Sequence, residues 1–128
     1  MKNKSKLNKI RQGGVKVNRN WFYMSKEDIN IEAMKEVWDA DYTVEIWKDQ
    51  GVLEVSVENG GIDVESCPTD FWDDDSKDYL MKNEVASIFN ITITDTGYED
   101  NIAAMRKLLN AKGGWFAADT ENFEPAIK

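Results

Sequence analysis

The chain contains no histidine. That removes the side chain that most often serves as a general base near neutral pH, and with it the commonest zinc ligand. One cysteine, Cys67, excludes a disulfide within the chain and argues against a stapled secreted scaffold. Apolar runs of membrane-spanning length are missing, and no apolar stretch of the kind a signal peptide needs follows the Lys/Asn-rich start. A cytoplasmic location is the expectation. No Gly-rich phosphate loop follows a strand, and neither Cys67 nor any serine has a partner base in the pattern. The expectation is a non-enzyme with no cofactor and no metal.

What is abundant is charge, and it is sorted by sign. Residues 1–19 carry seven bases (Lys2, Lys4, Lys6, Lys9, Arg11, Lys16, Arg19) and no acid. All 24 acids fall beyond them against nine bases, a net charge of −15. Asp39 to Asp78 alone holds 13 acids against Lys48 and Lys77, a net −11. Such a field governs association and partner choice rather than fold. The rest of the composition fits one domain: 128 residues, 41% hydrophobic, with five Trp, five Phe and four Tyr. A chain of that size buries roughly two-thirds of its unfolded surface around one core.

Residues 1–14 look like a flexible basic arm ending in Gly13-Gly14, because a like-charge run with few apolar residues cannot support a packed element. Residues 15–119 form the expected α+β domain, and 120–128 a polar C-terminal tail. Within the domain, an opening strand is expected over Val15–Tyr23. A helix over 26–39 begins near Ser25, in a near-capping box, with Ile31, Met34, Val37 and Trp38 at helical spacing. A second helix is expected over 77–88, capped by Ser76, with Met81, Val85, Ile88 and Phe89 at helical spacing. A strand at 89–94, a helix at 98–112 stopped by Gly113-Gly114, and a strand at 115–118 follow.

The clearest segment is a three-stranded meander over 42–65, with alternation in Tyr42–Trp47, Val52–Val57 and Ile62–Glu65. Matching apolar faces pairs Ile46 with Leu53 and Val44 with Val55, which sets Glu45 opposite Glu54. Asn59-Gly60 is the strongest short hairpin signal, and a two-residue turn there pairs Val57 with Ile62 and Glu54 with Glu65. The fold expected is an antiparallel sheet, this meander plus one or two further strands, covered on one face by two or three helices.

That register puts a row Glu45–Glu54–Glu65 on the outer face, flanked by Glu58, Asp63 and the Trp47–Val52 pair. Directly opposed like charges destabilise a sheet by up to about 1 kcal/mol, and such broken rules concentrate at functional sites. Acids two apart along a strand are about 7 Å apart, close to the spacing of neighbouring phosphates in a nucleic-acid strand. The loop Asp70-Phe71-Trp72-Asp73-Asp74-Asp75 adds four acids and two aromatics, a plausible contact for Lys or Arg. A solvated, solubilising face is the bland alternative.

The function expected is a non-catalytic acidic inhibitor or immunity-type protein that imitates nucleic acid. It would block a basic surface of a nuclease or defence enzyme, in an anti-defence setting such as a phage or mobile element. Its partner-binding residues would be Glu45, Trp47, Glu54, Glu58, Asp63, Glu65, Asp70, Trp72, Asp73, Asp74 and Asp75, with no membrane partner. The alternatives are an adaptor whose basic arm touches nucleic acid, or a divalent-cation protein using the carboxylate row; the acidic loop lacks the ligand alternation and central Gly of an EF-hand.

Overall fold

The computed structural model describes residues 19–67 and 72–128. Seven strands form one antiparallel sheet in the order β2-β3-β4-β5-β1-β6-β7. They are β1 (Asn20–Ser25), β2 (Thr43–Trp47), β3 (Val52–Val57), β4 (Gly60–Ser66), β5 (Ser87–Ile93), β6 (Trp115–Ala118) and β7 (Ala126–Ile127). Three helices complete an α+β fold: α1 (Ile31–Asp39), α2 (Asp74–Lys82) and α3 (Tyr98–Lys112). The arm 1–14 and Val15, Lys16, Val17 and Asn18 of the expected opening strand lie outside the described residues, as do Asp70 and Phe71.

β1 is an unbroken apolar run, Trp21-Phe22-Tyr23-Met24, with all four side chains buried. Successive side chains on a strand point to opposite faces, so such a run needs cover on both. Trp21 and Tyr23 enter the larger core, which α1 and α3 cap with Met34, Trp38, Ala104, Met105 and Leu108. Trp38 ties the two helices together, its indole N–H donating to the Ala104 carbonyl at 2.8 Å. Truncating it to alanine would cost about 3–5 kcal/mol. Phe22 and Met24 enter a second core on the opposite face, closed by Leu80 of α2 and by Phe123. Two of the helices therefore cover the expected face, and the third crosses to the other side.

The element bounds differ from the sequence pattern where side-chain chemistry overrides it. Residues 26–30 are not helical. Asn30 caps α1 by accepting the Ala33 N–H at 2.9 Å, while Ser87 accepts the Ile29 N–H and donates to the Glu27 carbonyl, strapping this segment to β5. Asp73 rather than Ser76 caps α2, accepting the Ser76 N–H at 2.8 Å. α2 ends at Lys82, not 88, so Val85, Ile88 and Phe89 are not on it and Met81 is 76% exposed. Its end is a Schellman turn: Val85 N–H donates to the Leu80 carbonyl and Glu84 N–H to that of Met81, with Glu84 at φ 55°. α3 keeps the expected bounds. Asn101, Ala104, Met105 and Leu108 are buried, whereas Tyr98 is exposed. The segment 120–128, expected as a polar tail, contributes buried Phe123 and β7, which pairs with β6.

The β3–β4 register is the correction that matters for function. Val57 pairs with Gly60, so the two turn residues are Glu58 and Asn59, not Asn59 and Gly60. Asn59 is taken up by a hydrogen bond from its Nδ2 to Asp100 Oδ2 at 2.9 Å, which fastens the turn to the start of α3. Gly60 is needed for closeness: a Cβ there would lie 2.7 Å from Asn101 Oδ1 and from the Thr96 carbonyl. The pairing shifts by two residues, so inward and outward faces stay as expected. What changes is the neighbour each acid meets.

Candidate partner-binding face

On the outer side of β2, β3 and β4, the outward positions are Thr43, Glu45, Trp47, Val52, Glu54, Ser56, Gly61, Asp63 and Glu65. Glu45 is opposite Glu54, and Glu54 is opposite Asp63, giving a straight row of three exposed carboxylates across three adjacent strands. Neighbours in such a row are about 5 Å apart at Cβ. Asp63 takes the place expected for Glu65, which is opposite Val52 instead. Glu65 still lies on the same face, about 7 Å along β4 from Asp63. The row continues as Thr92 on β5 and Asn20 on β1, both uncharged.

No lysine or arginine occupies an outward position on these three strands. Lys48, the base nearest in sequence, pairs instead with Glu32 of α1 at 3.1 Å, and this bond holds the Glu32 carboxyl below its usual range. The other ion pairs among the described residues are Arg19–Asp95, Lys26–Glu84, Lys35–Asp39 and Lys107–Asp41. None includes Glu45, Glu54, Glu58, Asp63 or Glu65. Glu58 is exposed in the turn at the end of this face, and Trp47, 40% exposed, stands at its other end beside Val52.

The second core borders the acidic half. Glu65 is opposite Asn90, and Asn90 is opposite Phe22. Trp72 packs edge-on against Phe22 with ring centroids 5.2 Å apart, and also meets Phe123 at 6.3 Å. Trp72 is thus half-buried as part of that core. Asp73, Asp74 and Asp75 follow it, exposed, at the positive end of α2, where carboxylates are favoured. Cys67 is half-buried at the same border; burial pushes its thiol up from the ordinary range, and the charges of Glu65 and Asp119 add to that against a hydrogen bond from Asn90. It stays protonated at neutral pH. Asp119 is the acid the sequence pattern did not single out, since only the β1–β6 pairing brings it to this border.

The carboxylates are spread along a line rather than gathered around a point. Among the described residues, no group of three or more Asp, Glu or Cys side chains is placed to hold a metal ion. Among the same residues, no helix is long and apolar enough to cross a membrane. Comparison with known proteins finds no family model that matches this chain, and no curated protein or solved structure similar to it.

Proposed function

We propose that this chain is a non-catalytic acidic inhibitor, of the immunity type, that covers a basic nucleic-acid-binding surface on a nuclease or related defence enzyme. One observation carries the reading: Glu45, Glu54 and Asp63 are directly opposed across three adjacent strands, exposed, and without a basic neighbour among the described residues. A sheet built for stability alone would alternate signs there. Along β4 the spacing of about 7 Å between Asp63 and Glu65 suits Lys and Arg side chains arranged to hold phosphates. Trp47 offers an apolar and cation-binding anchor at one end of the face. Electrostatic steering would make association fast and sensitive to salt.

The test is affinity capture from cell lysate at low and high salt, with wild type beside the Glu54→Gln/Asp63→Asn double variant. The expected result is a basic nucleic-acid enzyme retained by the wild type at low salt, released at high salt, and lost from the variant. Addition of the wild type, but not the variant, should then inhibit the purified enzyme. Equal capture by both proteins would remove the carboxylate row from the interface. Nucleic acid in the eluate without an enzyme would favour the adaptor, with the basic arm as its working part.

A further inference from the structure

We propose that the outer edge of β2 accepts an extended, basic segment of the partner protein as an eighth strand. The inference rests on the function proposed above and names how that partner is held. β2 is the last strand of the sheet on its side, and among the described residues nothing pairs with its outer edge. Alternate residues of an edge strand direct backbone N–H and C=O groups outward, a template for another strand. Natural sheets blunt such edges with charged side chains, lysine above all, with proline or with a bulge, and β2 has one charge, Glu45. Thr43-Val-Glu-Ile-Trp47 contains no lysine or proline, and its register with β3 is unbroken over all five residues. The opposite edge is β7, only two residues long and less suited to the role.

The side chains state what the added strand should be. Val44 and Ile46 are half-buried at the rim of the larger core. Apolar residues opposite them would complete its cover. Glu45, between them, points to the acidic face and has an acid on its inner side only, Glu54. A Lys or Arg opposite Glu45 would supply the opposite charge that the row lacks. The fitting segment is therefore apolar-basic-apolar in alternation, bound through its main chain with side-chain pockets for register. A second copy of this chain fits worse, because the fully overlapping antiparallel register places Glu45 opposite Glu45.

The experiment uses the full-length protein, isotope-labelled, at 0.15 M salt. The probe is a seven-residue peptide alternating valine and lysine. Its control carries the same side chains but is N-methylated at every peptide nitrogen, so that it cannot donate to a strand edge. The expected result is at least tenfold slower hydrogen exchange at alternate amides of Thr43–Trp47 with the first peptide only. Glu45→Lys should weaken that peptide at least tenfold while the spectrum of the folded protein is retained. If the two peptides bind equally without protecting β2, the edge inference falls and the acidic-face reading stands. If neither binds, the edge inference falls, and the acidic-face reading is decided by the capture test. β2 amides already protected in the free protein would also overturn the inference: concentration-dependent protection means a second copy sits there, and concentration-independent protection means another segment of the same chain does.

Discussion

Neutralising the centre of the carboxylate row should make the protein more stable. Glu54 is the only acid in it opposed on both sides, by Glu45 and by Asp63. With carboxylate charges about 6 Å apart in water, each pair repels by about 0.7 kcal/mol before screening. At 0.01 M salt, where the Debye length is about 30 Å, roughly 0.6 kcal/mol per pair survives; at 0.15 M roughly 0.3, and at 1 M about 0.1. Glu54→Gln removes two such pairs at once. The expected gain is about 1 kcal/mol at 0.01 M salt, about 0.6 at 0.15 M and about 0.2 at 1 M. Glu45→Gln, with one opposed acid, should yield about half as much. For a domain of this size 1 kcal/mol corresponds to about 4 °C in Tm, so thermal melts across a salt series suffice to read the effect. A loss of stability at low salt, or a gain that does not shrink with salt, would mean that the row is held by contacts other than those drawn from this geometry.

The β3–β4 register is open to test at adjacent glycines. Gly60→Ala should cost about 2–3 kcal/mol by overpacking against Asn101 and the Thr96 carbonyl, whereas the nearest atom to a Cβ at Gly61 is the Val55 carbonyl at 3.4 Å and Gly61→Ala should be neutral or stabilising by about 0.5 kcal/mol. Urea unfolding of both variants checks this, and equal costs would contradict the packing of the turn on α3. Glu84→Gly should stabilise by about 0.5–1 kcal/mol, because Glu84 closes α2 at φ 55°, where a side chain is strained; its ion pair with Lys26, 3.8 Å and exposed, loses little. Tyr23, buried and donating to the Gly113 carbonyl at 2.8 Å, has its pKa pushed up to about 12 by burial and then by Glu27. A raised phenol contributes stability fully below pH ~10 and loses it towards pH 12, a loss of about 1.4 kcal/mol by pH 11. Urea titrations at pH 9 and 11 should show that extra loss in wild type and not in Tyr23→Phe.

The meander, α3 and β6 were legible because their signals are local: alternation over five or six residues, or glycines closing a strongly periodic helix. The facing of Glu45 and Glu54 followed from matching apolar faces, and Ile46–Leu53 and Val44–Val55 pair as that match requires. What escaped the pattern depends on partners far away in sequence. Asn59-Gly60 resembles a turn dipeptide, yet both residues answer to α3, Asn59 through Asp100 and Gly60 through Asn101. The end of α2 carries a glutamate where glycine is usual, so the stop is visible only in the hydrogen bonds that Glu84 and Val85 make. Met81 and Val85 then leave the expected helical face. Trp21-Phe22 buries both rings because this strand is covered on both faces, and no local pattern announces a second core.

That second core also explains why part of the outer face is open. α2 has nine residues, about 14 Å of helix, whereas seven strands span about 29 Å. Placed over β1, β5 and β6, it leaves β2, β3 and β4 uncovered among the described residues, and their outward residues must then tolerate water. Exposure alone would permit any polar mixture. It does not account for the sign. Alternating Lys and Glu across the same three strands would gain about 0.2–1 kcal/mol per opposed pair, and solubility would be served equally well. The chain has acids at Glu45, Glu54, Asp63 and Glu65 and no base at any outward position of these strands. Local stability is lower for it. A uniform sign on an otherwise ordinary open sheet is the feature that folding leaves unexplained, and the proposed basic partner would explain it.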